Sequence, residues 1–238
     1  MNARSLFAAL ALSIAAGLVG CSSSEFATVS GAPPAGAPAF KVGDTWTYHG
    51  REGFRLPVEW DETHEVTAVG PEGITMRVTY SGPTVTGSRT EVLTAPGIVR
   101  QGALMDIETR RFATPLARYQ FPLAPGETWN QWVANYNETT KRQGEINRYV
   151  RVGGWEKVPT PAGTFDAIRM RVLMRLDDDE FWREPTQTNY IVWYAPAVGG
   201  PVREEKDAEY WEKGNRMDTQ PVRAQHTVLE LVSFRRAA

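Results

Sequence analysis

One cysteine and three histidines in 238 residues leave this chain few routes to covalent or metal chemistry. With Cys21 alone, no intrachain disulfide can form, and stability has to come from the buried core. His49, His64 and His226 lie far apart in sequence. There is no Gly-x-Ser-x-Gly elbow, no His-Glu-x-x-His pair and no glycine-rich phosphate loop. Charge is nearly balanced, with 26 Lys and Arg against 28 Asp and Glu. A nucleic-acid partner would require a marked basic excess, so none is expected. No apolar run approaches the roughly 20 residues of a membrane-spanning helix, and no segment keeps a helical period beyond a turn or two. These absences exclude the common enzyme classes and give no reason to expect a cofactor. A non-enzymatic protein is the expectation.

What the chain does have begins at its start. Arg4 precedes an apolar run from Leu6 to Val19, and Gly20 leads into Cys21. A basic end, a short apolar middle and a small-residue exit are the layout of a secretory leader that is removed, here residues 1–20. Leu18-Val19-Gly20-Cys21 resembles the lipobox of bacterial lipoproteins. The resemblance implies acyl chains such as palmitate on Cys21, hence partnership with a membrane through that residue. Two or three such chains hold far more firmly than one, at about 0.8 kcal/mol per buried methylene. Ser22 follows, with no Asp beside the cysteine, which by the enteric-type sorting rule implies the outer membrane, facing the periplasm. Ser22 to Pro38 is almost entirely Ser, Ala, Gly and Pro. It cannot bury enough surface to offset its ordering entropy. Residues 21–38 therefore read as an anchor with a flexible tether, able to reach about 55 Å when stretched.

From residue 39 to 238 the pattern is strand and turn. Trp46 and Tyr48 share one face after the turn pair Gly43-Asp44. Residues 58–80 form a hairpin around Gly70-Pro71-Glu72-Gly73, with Ile74, Met76, Val78 and Tyr80 alternating with polar neighbours. Further strands are expected at 89–94, 98–105, 130–139, 147–158, 167–176, 181–194, 202–211 and 222–234. The pattern is too weak between 110 and 119 to assign, and Pro159 to Phe165 reads as a loop because its prolines do not suit a central strand. Gly43-Asp-Thr-Trp46 is echoed at Gly126-Glu-Thr-Trp129, a hint of two related halves. The expected fold is all-β: a strongly curved antiparallel meander, half-barrel or barrel, with little helix and its edges closed off.

Gly43-Asp-Thr-Trp-Thr-Tyr48, Pro161-Ala-Gly-Thr-Phe165 and Trp193-Tyr-Ala-Pro-Ala-Val-Gly199 resemble landmarks of a bacterial envelope family labelled TapB-like. The sequence departs from them at Thr160 and Ala197. A looser analogy of fold joins such proteins to the half-barrels of the lipoprotein carriers LolA and LolB, which implies a concave apolar cavity.

Eight tryptophans are the most suggestive side chains. Trp46 and Trp193 beside turns suit core pins, and Trp129 and Trp132 must face opposite ways. Trp60 and Trp182 are the candidates for lining a ligand cavity. A zinc site of His49, His64 and Glu62 is conceivable, against surface histidines. Asp177 to Glu180 reads as a solvated hairpin tip, and Arg169, Arg171 and Arg175 as a polar strand face paired with acids such as Glu184. The function this supports is binding of an apolar or amphiphilic ligand on the curved sheet; the alternative is a structural or assembly module that binds an envelope protein.

Overall fold

The computed structural model describes residues 26–53, 56–105, 107–214 and 220–237; Cys21 and the leader lie outside them. Thirteen strands carry the chain: β1 (Ala27–Val29), β2 (Thr45–Glu52), β3 (Val58–Gly70), β4 (Gly73–Ser81), β5 (Thr86–Ala95), β6 (Ile98–Gly102) and β7 (Arg110–Ala117), followed by β8 (Thr128–Asn137), β9 (Arg142–Thr160), β10 (Gly163–Asp177), β11 (Thr186–Ala195), β12 (Gly200–Tyr210) and β13 (Val222–Arg235). Each strand from β2 to β13 pairs antiparallel with the next. β13 returns to pair with β2, from Thr227 opposite Glu52 to Arg235 opposite Thr45. The result is a closed twelve-stranded barrel with β1 added outside it along β9. The all-β, curved expectation is met in its closed form, which pairs most strand residues on both sides.

Period-two alternation decides which residues fill the barrel. Trp46 and Tyr48 on β2, Ile74, Met76, Val78 and Tyr80 on β4, and Met170, Val172, Met174 and Leu176 on β10 are all buried. Their neighbours Glu65, Arg77, Lys157 and Asp166 stand on the outer wall, in the pairs Arg77–Glu65 and Lys157–Asp166 at 2.6 Å each. Tight turns make the alternation possible. Gly70 pairs directly with Gly73 across a two-residue loop. Gly73 has φ +113°, and a Cβ there would fall 2.1 Å from the Leu93 carbonyl oxygen, so only glycine fits.

The barrel closes unevenly. β7 and β8 share a ladder only from Arg110 to Phe112. Beyond it, side chains take over the work of the backbone. Gln131 accepts from the Ala117 amide at 2.8 Å and donates to the Pro115 carbonyl at 3.0 Å, the two bonds a paired residue would make. Trp129 Nε1 donates to the Ala117 carbonyl at 3.0 Å. This substitution explains why 110–119 could not be assigned from periodicity.

Two openings six strands apart use one device. Gly43 (φ +91°) and Gly126 (φ +93°) start β2 and β8. Gly43 donates to the Val66 carbonyl while Val66 donates to that of Asp44; Gly126 and Val152 repeat this with Glu127. The Asp44 carboxylate accepts from the Lys41 amide and the Glu127 carboxylate from the Ala124 amide. The sequence echo is therefore an echo of structure, at corresponding places in two six-stranded halves.

Three expectations need correction. The segment read as flexible tether is docked from Phe26 onward: β1 pairs with Trp155 to Lys157, and Ala35, 2% exposed, exchanges two backbone hydrogen bonds of 2.8 Å with Leu123. Isolated Phe26 and Val29 in a Pro- and Ala-rich run did not announce a surface that fits them. The loop read over 159–165 shrinks to Pro161-Ala162, since Thr160 pairs with Gly163 and Pro159 with Thr164. Pro159 is tolerated there because β1 ends its pairing at Lys157, leaving the far side of β9 without a ladder. The strand expected from Phe181 begins only at Thr186.

If Gln131 seals the seam, Gln131→Leu should cost about 2 kcal/mol, two hydrogen bonds lost with an amide left unpaired. Urea unfolding would report it, and the Ala117 amide should exchange faster while protection on β3 and β4 holds.

Candidate functional site

Among the apolar side chains that fill this barrel, the lumen also holds charged ones. Continuing the inward alternation of β3 from Trp60 brings Glu62 and His64 inside; β5 adds Arg89 and Glu91, β9 adds Arg148, and β12 adds Glu204 and Lys206 around an interior cavity of about 100 Å³. A second cavity of about 90 Å³ adjoins it and shares Tyr48, His64, Glu91, Arg118, Tyr119 and Glu204, with Phe40, Trp46, Leu93 and Phe121 on its other side.

Most of these charges are answered at close range. Glu62 accepts from His64 at 2.7 Å and Arg89 at 3.2 Å. Glu91 accepts from Arg89 at 2.8 Å and Arg118 at 2.9 Å. Lys206 and Glu204 are 2.9 Å apart. Burial alone would raise the Glu62 carboxyl, but the His64 hydrogen bond and Arg89 overcome it and hold the group down at about 2. Glu91 is likewise held far below the carboxylate range, burial being outweighed by Arg118 and Arg89. Desolvation pushes the Tyr119 phenol up, with Glu204 adding to it. Arg148 is different. It is 7% exposed, and its hydrogen bond among the described residues goes to the neutral Ala117 carbonyl at 2.8 Å. Desolvation lowers it to about 10, so it stays charged at neutral pH.

Both ends of the lumen are plugged. At one, Leu104 reaches in from the β6–β7 connection, its carbonyl 3.0 Å from the Tyr190 hydroxyl. Beside it Arg110, 1% exposed, makes a two-pronged pair with Asp178 at 2.6 and 3.0 Å and a bond to Glu108 at 2.7 Å. At the other end Trp46 Nε1 donates to the Val198 carbonyl at 3.0 Å and the Tyr48 hydroxyl to that of Pro201 at 3.0 Å. Asp44, wholly buried, accepts from Lys41 and Ala237 amides at 2.8 Å each, tying the N-terminal approach to the C-terminus. Phe165 meets Phe234 at 6.0 Å. The motifs containing Trp46, Phe165 and Trp193 thus gather where the barrel is closed off, and their contacts are structural.

The residues singled out from sequence fall elsewhere. Trp60 is 4% exposed, packed where a Cβ on Gly50 would lie 2.5 Å from its ring, and it lines neither interior cavity. Trp182, 39% exposed, stacks edge-on against Tyr210 at 5.5 Å, with Arg183 over its ring. The two are not brought together. Cys21 lies outside the described residues. His49 points outward to Asp61 at 3.0 Å while His64 points inward, so the sheet itself separates those two histidines. Asp178 is buried on Arg110 rather than solvated at a hairpin tip. Of the outer arginines on β10, Arg171 bonds Asn189 and Arg175 bonds Asp177, not Glu184. Sequence reasoning missed Glu91, Arg118, Arg148 and Glu204 because a charged residue on an alternating strand reads as the wet face. A signal was present: Trp60, Glu62 and His64 share parity, which places an acid beside a tryptophan on the inner side.

No protein-family model and no curated protein sequence matches this chain. Among solved structures it is similar to a protein from Bacteroides fragilis described as exported and of YmcC-like fold, at 16% identity and a TM-score of 0.55, over 86% of this chain and 100% of that one. A protein from Parabacteroides distasonis described as a lipoprotein aligns at 15% identity and a TM-score of 0.49, over 86% and 100%. At such identities the likeness to the first shows a shared fold: this is an antiparallel closed barrel of that kind.

The Glu62 geometry sets an acid limb. Its carboxyl is at about 2 in the folded chain against 4.5 for the ordinary group, so its stabilisation is complete above about pH 4.5 and is lost as pH falls toward 2. The loss is on the order of 3 kcal/mol. Glu62→Gln should therefore lie below the parent protein at pH 6, and the gap in urea midpoint should narrow steadily between pH 4.5 and 2.

Proposed function

We propose that this chain is a non-enzymatic lipoprotein of the bacterial outer membrane, anchored through acylated Cys21, in which the barrel is a rigid water-facing module carried close to the bilayer. The observation that carries this reading is the seat of Phe26. Its ring meets Trp193 edge-on at 5.4 Å, and the Arg203 guanidinium covers both rings at 5.7 and 5.9 Å. Trp193 is fixed beneath by its Nε1 hydrogen bond to Glu156 at 2.6 Å, and Arg203 is held by Glu230 and Glu205. Five chain steps separate Cys21 from Phe26, a reach of about 17 Å. A reach of about 17 Å, against about 55 Å for a fully stretched tether, supports a barrel carried near the bilayer.

The outer wall supports a barrel beside the membrane rather than across it. A membrane-spanning barrel needs an apolar outward band about 25 Å tall; here Glu59, Asp61, Arg77, Lys157 and Asp166 occupy that wall, all exposed, with Glu65 partly so. Among the described residues no helix is long and apolar enough to cross a membrane. The shared fold with a protein described as exported supports an envelope address, and the TapB-like motif set belongs to the same reading.

The cavity volumes support one of the two expected activities over the other. Ligand pockets that hold drug-sized apolar molecules span roughly 300 to 1,000 Å³, whereas the lumen offers cavities of about 100 and 90 Å³, the larger rimmed with charge. An acyl chain held inside is not supported. An envelope partner engaged from outside, the alternative reading, is the one the filled barrel favours.

Expressed in a bacterial host, the parent chain should take up radioactive palmitate and sediment with outer membranes; Cys21→Ser should lose the label and appear soluble in the periplasm. Unchanged membrane retention of the serine variant would overturn the anchor. Phe26→Ala, with the anchor intact, should make residues 26–38 sensitive to limited proteolysis while leaving the barrel resistant.

A further inference from the structure

We propose that the chamber at Arg148 is a binding site for a small organic carboxylate, its charged head on the Arg148 guanidinium and a short alkyl group in the adjoining cavity. The first argument is the state of Arg148 itself. A guanidinium carries five N–H donors, and this one, 93% enclosed by its 7% exposure, spends its hydrogen bond among the described residues on one backbone carbonyl. A buried charge is ordinarily paired, because leaving one without a counter-charge is costly.

The carboxylates close by do not fill that role. Glu62 is taken by His64 and Arg89, Glu91 by Arg89 and Arg118, and Glu204 lies against Lys206. The wall of the cavity holds four cationic side chains, Arg89, Arg118, Arg148 and Lys206, against three carboxylates. Arginines and lysine thus outnumber carboxylates on that wall by one, and a singly charged anion answers the difference. A planar carboxylate matches the guanidinium fork with two parallel hydrogen bonds, which a spherical ion cannot do.

Size sets the rest. A cavity of about 100 Å³ is several times the roughly 10–15 Å³ that one enclosed water needs, so a carboxylate head fits. The neighbouring 90 Å³ is bounded by Phe40, Trp46, Leu93 and Phe121 and would take a few carbons. Tyr119 and Arg118 border both spaces. The inference stands apart from the anchor and holds whether or not Cys21 carries lipid.

Thermal unfolding of the purified full chain in sodium acetate and sodium butyrate, against sodium chloride at equal ionic strength, tests it. Carboxylate should raise Tm by about 3 to 5 °C per tenfold in concentration once past half-saturation, butyrate acting at lower concentration than acetate. Arg148→Met should abolish the carboxylate-dependent rise. An equal rise in chloride, no rise at all, or a rise that survives in Arg148→Met would each overturn the proposal. Should Arg148→Met fail to fold, saturable broadening of the 13C-acetate carboxyl resonance by the parent protein, weakened in Arg148→Lys, decides the matter: broadening upholds the site, and its absence removes it.

Discussion

Closing twelve strands into one ring creates a lumen that apolar side chains here fill only in part, and the rest of this structure answers that constraint. Eight strands enclose an interior just wide enough for side chains to meet. With four more, Val, Ile and Leu projecting from opposite walls leave a gap, and water in it would dissolve the reason for folding. Arginine, glutamate, tyrosine and tryptophan are long enough to reach across. Arg89 touches two carboxylates and also covers the Tyr80 ring at 5.3 Å. The charged lumen is thus a packing solution first. Its pairs, Glu62 with His64 and Arg89, Glu91 with Arg89 and Arg118, and Glu204 with Lys206, offset the several kcal/mol that desolvating a charge costs, which the single neutral hydrogen bond of Arg148 does not return.

The same constraint explains the ends. A wide barrel is open at both mouths unless something is folded over them, and here the stoppers come from connections and termini. Leu104 and Arg110 close one mouth, and the approach to β2, the turn after β11 and the C-terminus close the other. The hydrogen bonds of Trp46, Tyr48 and Asp44 end on backbone groups of the segments they hold down. That the β2 and β8 openings repeat one hydrogen-bond pattern six strands apart indicates that each half solves the same local problem, how to enter a strand beneath a plug.

How much of this could be read from sequence followed from which physical signal each feature writes. Alternation is local, so the hairpin about Gly70 to Gly73, the arginine-studded β10 and the all-β class were legible. Closure of β13 on β2 is a pairing across about 180 positions and leaves no local mark. The interior charges were illegible for a deeper reason: alternation separates two faces without saying which is inside, and it is the usual scarcity of buried charge that fills the gap. In β3, where Glu59 and Asp61 face water and Glu62 faces the lumen, that rule fails. Periodicity was silent at β7 because Gln131 does there what a backbone does elsewhere. The docking of residues 26–38 was missed because composition measures what a segment can bury by itself, and this one buries its few apolar groups on a surface prepared by Trp193, Arg203 and Leu123.

Docking and lumen meet in one further step. The N-terminal segment does not only shorten the distance to Cys21; through Ala35, Pro38 and Phe40 it runs on to the mouth above the smaller cavity, which Pro38 and Phe40 themselves line. Phe40 packs on Trp46 at 6.0 Å, and Trp46 in turn holds the turn at Val198. The covalent path from the proposed anchor therefore leads, within twenty residues, to a side of the interior chamber. The segment that docks on the outer wall at Phe26 therefore also supplies, through Pro38 and Phe40, part of the wall of the chamber.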